Sequence, residues 1–286
     1  MSHDDPSAVV VTDHWAQHPR GRLFVRRWCP PRTGSGDAAP PAPVLMFHDS
    51  LGSVALWRDF PARLAARLGR DVVAYDRLGF GLSDPRGDRL STQFVAEEAA
   101  SVLPRLREAL GIGRFVAFGH SVGGGMAVHA AAQWADDCEA LVTVAAQAFV
   151  EERTVLGIEQ AREMFRDPAQ RERLARHHGE RAEWVLQAWI GTWLSPEFAS
   201  WSLSSVLPQV RCPALVLHGE LDEYGSARHP ETLGRLCGGP ARVEILAGTA
   251  HVPHRERPDE VLDLVAEFLQ PAGPAVQAGR KPSTDR

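Results

Sequence analysis

The stretch VAFGHSVGGG, Val116–Gly125, sets a serine within the pattern G-x-S-x-G. With glycine near 7% of average composition, about one chain in ten of this length would match by chance. The surroundings therefore decide its meaning. RFVAFG before Ser121 is an apolar run of the kind found in buried strands, and GGGMAVHAAAQW after it opens an apolar helix on small residues. A strand, a sharp turn and a helix hold a serine side chain exposed at a sheet edge, and Gly119 and Gly123 supply the small flanking residues such a turn needs. The competing reading is a glycine-rich turn with a structural or phosphate-binding role.

A serine hydroxyl is a weak nucleophile until a base takes its proton and a third group orients that base. Both partners occur downstream, each just after a strand-like run. ALVLHGELDEYGS puts Asp222 on a turn, three residues after Gly219, and RVEILAGTAHVPHRERPDE puts His251 on the next such loop. Glu220 and Glu223 compete for the acid position and His254 for the base.

Outward from this segment the rhythm is regular. VLMFHD, DVVAYD, RFVAFGH, ALVTVAA, ALVLHGE and RVEILAG lack polar alternation, as strands buried on both faces do. Helix-like segments lie between them at Trp57–Leu68, Thr92–Leu110, Gly123–Trp134 and Pro258–Leu269. Two further strands precede them, near Ala8–Thr12 and Arg22–Trp28, followed by the loop CPPRTGSGDAAPPAP. The expectation is an α/β fold with a mostly parallel central sheet and helices on both faces. One segment, 147–208, shows no strand and reads as an all-helical insertion carrying Trp184, Trp189, Trp193, Phe198 and Trp201. The domain expectation is thus a core over 1–146 and 209–270, a helical cap over 147–208, and a disordered tail over 271–286.

The 286 residues carry a formal charge of −5 with 44% hydrophobic and 23% charged residues, a globular composition without the basic footprint of a nucleic-acid binder. The start, MSHDDPSAVVVTDHW, has no apolar core of a secretion signal, and no run is long enough for a membrane span. Four scattered cysteines match no metal-ligand spacing. The expectation is a cytoplasmic protein without metal or cofactor that acts on a small molecule and binds neither nucleic acid nor membrane. A homodimer is compatible with it.

Taken together, Ser121, Asp222 and His251 in that order resemble the α/β-hydrolase superfamily with a helical cap, over about Arg22–Leu269. YDRLGFGLSD (Tyr75–Asp84) resembles the family's D-x-x-G-x-G-x-S loop, HGELD its acid turn, and GTAHVPHRERP its histidine loop. The resemblance implies a cofactor-free Ser–His–Asp hydrolase with its site beneath the cap; its G-x-x-D spacing selects Asp222 over Glu220 and Glu223, and its histidine position selects His251, leaving His254 a rim or packing residue. It also implies an oxyanion hole made by the backbone N–H groups of Ser50 and Val122. There the chain departs from the family: FHDSLGSVALW has Asp49 where H-G-x carries glycine. A carboxylate aimed at an oxyanion would oppose the reaction, so Asp49 is expected to turn away towards backbone or an arginine. Candidates for substrate contact are His48, Asp49, Leu51, Trp57, His120, Trp189 and Trp193. Of these, Trp57 suits helix packing equally well, and the His120 ring is expected to point away.

Serine as nucleophile excludes the aspartyl-ester mechanisms of haloalkane dehalogenases and epoxide hydrolases. The expected reaction is hydrolysis of a small, largely apolar ester, lactone or thioester. Two alternatives stay open: carbon–carbon bond hydrolysis of the meta-cleavage-product type with the same three residues, and a slow-turnover ligand receptor or scaffold.

Overall fold

A computed structural model describes residues 8–32 and 39–270. The expected disordered tail, 271–286, lies outside the described residues. An eight-stranded sheet has the order β1-β2-β4-β3-β5-β6-β7-β8. Its strands are β1 (Val10–His18), β2 (Gly21–Cys29), β3 (Val44–Phe47), β4 (Val72–Tyr75), β5 (Phe115–His120), β6 (Cys138–Val144), β7 (Ala214–Gly219) and β8 (Ala241–Leu246). β1 and β2 form an antiparallel hairpin, β2 joins β4 antiparallel, and all remaining pairs are parallel. β3, β4, β5 and β7 are buried along their whole length, as their unbroken apolar runs require. The edge strand β8 differs from its expectation, because Val243 and Ile245 are exposed and only one face is covered.

Alternate strand residues feed two cores. Met46, Val116, Phe118, Leu215 and Leu217 face α1 (Phe60–Leu68) and α9 (Pro258–Leu269). Leu45, Phe47, Ala117, Leu141 and Val216 face the other layer. That layer contains α2 (Phe94–Glu97), α3 (Leu103–Leu110), α4 (Val122–Gln133) and α8 (Arg228–Leu236). A π-helical turn, Glu98–Val102, links α2 to α3. Helix α8, RHPETLGRL, escaped the sequence reading because only His229, Pro230 and Leu233 of its nine residues are buried.

Between β6 and β7 lie α5 (Glu152–Met164), α6 (Pro168–His178) and α7 (Ala182–Trp193). The stems of this helical segment meet at a single bridge, Phe149 with Ser202, reinforced by Leu203 N–H donating to the Ala148 carbonyl at 2.7 Å. Trp193 and Trp201 pack on Phe198 at 5.2 and 5.4 Å, and Phe198 reaches Phe94 of α2 at 5.7 Å. Most of the insertion's aromatic residues therefore build its attachment to the core.

The parallel order reverses between β3 and β5, where α/β sheets hold their ligands beyond the strands' carboxyl ends. A buried carboxylate fastens the loops there. Asp76 accepts from Val54 N–H at 2.6 Å and from Leu82 N–H at 2.7 Å, tying the loop after β3 to the loop after β4. Burial pushes its carboxyl up to about 6, although the two backbone donors act in the opposite sense. Asp76→Asn would set an amide NH2 against one of those N–H groups. We expect it to lower stability by about 1–3 kcal/mol, read as a lower urea midpoint; an unchanged midpoint would show that the tie contributes nothing.

Candidate active site

Ser121 occupies the turn between β5 and α4 with φ 55° and ψ −127°, a conformation that few side-chain-bearing residues adopt. Close packing enforces it. A Cβ on Gly119 would stand 2.1 Å from the Gly123 carbonyl oxygen, and a Cβ on Gly123 would stand 2.1 Å from that of Phe47. The two glycines are small because backbone passes against backbone on both sides. The turn is locked by Ser121 N–H donating to Val144 O at 2.9 Å and Gly124 N–H donating to Ser121 O at 2.8 Å.

Ser121, Asp222 and His251 come together. Ser121 Oγ is 3.0 Å from His251 Nε2, and His251 Nδ1 is 2.8 Å from both Asp222 oxygens. Asp222 Oδ1 also accepts from the N–H groups of Tyr224 at 2.8 Å and Gly225 at 3.1 Å. All three side chains are buried. Burial works against charge on His251, but the Asp222 carboxylate beside it prevails and holds the imidazole above its ordinary value. Burial would likewise raise Asp222, yet His251 and the turn's N–H donors keep it below the usual carboxylate range. The arrangement can draw a proton from Ser121 Oγ onto Nε2 while Nδ1–H stays on the carboxylate.

Ser121 faces a cavity of about 570 Å³ between the sheet edge and the helical segment. Asp49, Ser50 and Leu51 enter its wall from the loop after β3, Trp189 and Trp193 from α7, and Ile158 from α5. The N–H groups of Ser50 and Val122 have no acceptor among the described residues, so both are free to bind an oxygen.

Three of the expected substrate contacts lie elsewhere. His48, Trp57 and His120 sit behind the cavity wall. His48 Nδ1 donates to Asp49 O at 2.8 Å and its Nε2 accepts from Arg77 N–H at 3.2 Å. His120 Nε2 donates to the His251 carbonyl at 2.8 Å, so it braces the histidine loop from below. Trp57 packs on Phe118 and on His254, the latter at 4.9 Å, which makes both Trp57 and His254 packing residues. Burial pushes the His120 ring down to about 4, so it stays neutral.

Asp49 also departs from expectation. Its carboxylate has neither backbone nor arginine as partner; Oδ2 lies 3.6 Å from His120 Nδ1, and Oδ1 is buried without a hydrogen bond. The arginine contact falls on its backbone instead, Arg77 Nη2 donating to Asp49 O at 2.8 Å. Gly52 allows this placement, since a Cβ there would stand 2.2 Å from Oδ1.

Several neighbours carried no sequence signal. Gln147 Oε1 lies 3.3 Å from Ser121 Oγ, and the Tyr224 ring lies 4.8 Å from that of His251. Glu151, at the start of α5, accepts from Ser226 N–H at 2.7 Å and Ser226 Oγ at 3.0 Å, fixing the turn that bears Asp222. His178 of α6 accepts from Gly81 N–H and donates to Leu51 O, each at 3.0 Å, docking the insertion on the loop after β3.

A strained serine on a strand–helix turn, with an acid and a histidine reaching it from the ends of later parallel strands, defines the α/β-hydrolase class of architecture. A family model described as alpha/beta hydrolase fold matches residues 42–202, more than half of the chain, and the chain belongs to that family. It is 28% identical to the serine hydrolase BPHL of Homo sapiens over 257 residues, 84% of this chain and 81% of that one. It is 33% identical to the proline iminopeptidase of Lactobacillus delbrueckii subsp. lactis over 93 residues, which span 32% of either chain. Among solved structures, the enol-lactonase from Burkholderia xenovorans LB400 superposes with a TM-score of 0.68 at 19% identity, over 90% of this chain and 99% of that chain. That likeness is one of fold. Among the described residues no helix is long and apolar enough to cross a membrane.

Proposed function

We propose that this protein is a serine hydrolase that cleaves a small carboxylic ester, lactone or thioester through an acyl-enzyme on Ser121. The observation that carries the reading is the continuous chain from Ser121 Oγ through His251 to Asp222, opening on a cavity of small-molecule size. Ser121 Oγ attacks the carbonyl carbon as its proton passes to His251 Nε2. The resulting oxyanion is bound by the N–H groups of Ser50 and Val122, where the start of α4 adds its positive end. His251 then gives the proton to the departing alkoxide or thiolate. Water, deprotonated by the same nitrogen, attacks the acyl-enzyme, and Ser121 recovers its proton as the acid leaves. Asp222 holds Nδ1–H in place and stabilises the imidazolium of each transition state. The segment over 147–208 acts as a cap, contributing Ile158, Phe165, Trp189 and Trp193 to the apolar side of the cavity.

A fluorophosphonate probe, which bonds only to an activated serine, tests this directly. Intact-mass spectrometry is expected to show one adduct on the wild type and none on Ser121→Ala. A folded wild type without an adduct would remove the mechanism.

A further inference from the structure

The cavity is not uniformly apolar. Where the loop after β3, helix α6 and the segment after His251 meet, its wall carries Arg58, Arg173, Arg176, Arg255 and His177. The same cavity is lined by two carboxylates, Asp49 and Glu223, of which Asp49 acts on the Arg255 cation. Guanidinium groups thus outnumber carboxylates here, in a chain whose formal charge is −5. The four arginines are also without an ion pair among the described residues. Arg22 pairs with Asp84, Arg107 with Asp137 and Arg242 with Glu267, whereas Arg58, Arg173, Arg176 and Arg255 have no ion-pair partner among the described residues. Arg255 is the most enclosed. One nitrogen donates to the Leu56 carbonyl, but its Nε–H is buried with no acceptor. These cations share one neighbourhood: burial first, then Arg176, Arg255 and Arg58, hold His177 below its ordinary value. Unpaired, converging donors of one sign are matched by an anion that can take two of them at once.

From this geometry we infer that the substrate bears a carboxylate, which Arg255 and the arginines around it bind while the ester lies at Ser121. The inference deepens the proposed hydrolysis and rests on it. It also changes the expected substrate from a largely apolar ester to one apolar along the Trp189–Trp193 side and anionic at one end.

Two matched pairs of esters test it. In the first, 4-nitrophenyl hydrogen adipate against 4-nitrophenyl hexanoate, the charge is on the acyl side. In the second, 4-butyryloxybenzoate against its methyl ester, it is on the leaving group. We expect the anionic member of one pair to exceed its neutral partner in kcat/KM by about tenfold. That ratio should fall as salt rises, because exposed guanidinium groups are screened. Arg58→Gln/Arg176→Gln, two exposed sites, should lower the ratio by about threefold, with Arg255 left in place. Arg235→Gln, an equal charge change per site away from the cavity, should leave the ratio as it was. Equal rates within both pairs, or a preference that the double substitution leaves unchanged, would overturn the inference while leaving the hydrolase reading intact. Should no ester be turned over, binding of the same pairs to Ser121→Ala, followed by tryptophan fluorescence, reads the charge preference independently. Equal affinities there would overturn it too, whereas the fluorophosphonate result judges the hydrolysis by itself.

Discussion

Ser121→Ala is expected to lower ester turnover by on the order of 10⁴- to 10⁶-fold with little change in stability. The loss is large because, among the described residues, Ser121 Oγ is the hydroxyl that hydrogen-bonds His251 Nε2 and no other does. What remains would come from binding and from the N–H groups of Ser50 and Val122, which alanine leaves untouched. The small change in stability also follows from the geometry. The backbone bonds of Ser121 to Val144 and Gly124 do not involve the side chain. Alanine keeps the same Cβ, so the strain at φ 55° is neither added nor relieved. Only two side-chain contacts vanish, those to His251 and to Gln147 at 3.3 Å. Steady-state kinetics on a neutral ester, with thermal melts of both proteins, provide the check. Substantial hydrolysis by a folded variant would mean that Ser121 is not the nucleophile.

What could be read in advance was set by local chain geometry. The Gly119–Ser121–Gly123 turn has a sequence signature because backbone contacts on both sides forbid a Cβ. Asp222 and His251 were legible because parallel strands deliver their following loops to one edge, so strand order along the chain predicts convergence there. Amphipathic α8 was missed since so little of it is buried, and β8 was misjudged because an edge strand and a central one share the same residue types. Pocket residues posed a harder problem. His48, Trp57 and His120 sit near Asp49 and Ser121 in sequence, yet they pack beneath the wall, since neighbouring positions leave the turn in opposite directions. Gln147, Tyr224 and the arginine cluster depend on how the 147–208 segment docks through His178 and Glu151. Contacts between segments so distant in the chain leave no local periodicity to read.

Asp222→Asn is expected to reduce kcat/KM by about 10⁴-fold and to displace its pH profile. In the wild type His251 must be neutral to accept the Ser121 proton, so activity rises as pH climbs through its pKa. Burial alone would place that pKa below the ordinary histidine value; the Asp222 carboxylate carries it above. Removing the charge leaves burial in place, so the rising limb moves to lower pH. The variant's deficit is then smaller below the wild-type limb than above it. The rate falls despite this greater neutral fraction because the amide cannot meet all its neighbours. Asp222 Oδ1 accepts from Tyr224 and Gly225 N–H, which keeps the Asn carbonyl oxygen at that position, already shared with two donors, and sets its NH2 at the Oδ2 position, also 2.8 Å from His251 Nδ1. An NH2 donor there favours the tautomer protonated on Nε2, which opposes the Ser121 hydroxyl instead of accepting from it. A pH series on both proteins separates the two effects. A limb that stays in place would show that the carboxylate does not control the imidazole, and activity near wild type would assign the orienting role to another group, with Glu223 the nearest alternative in sequence.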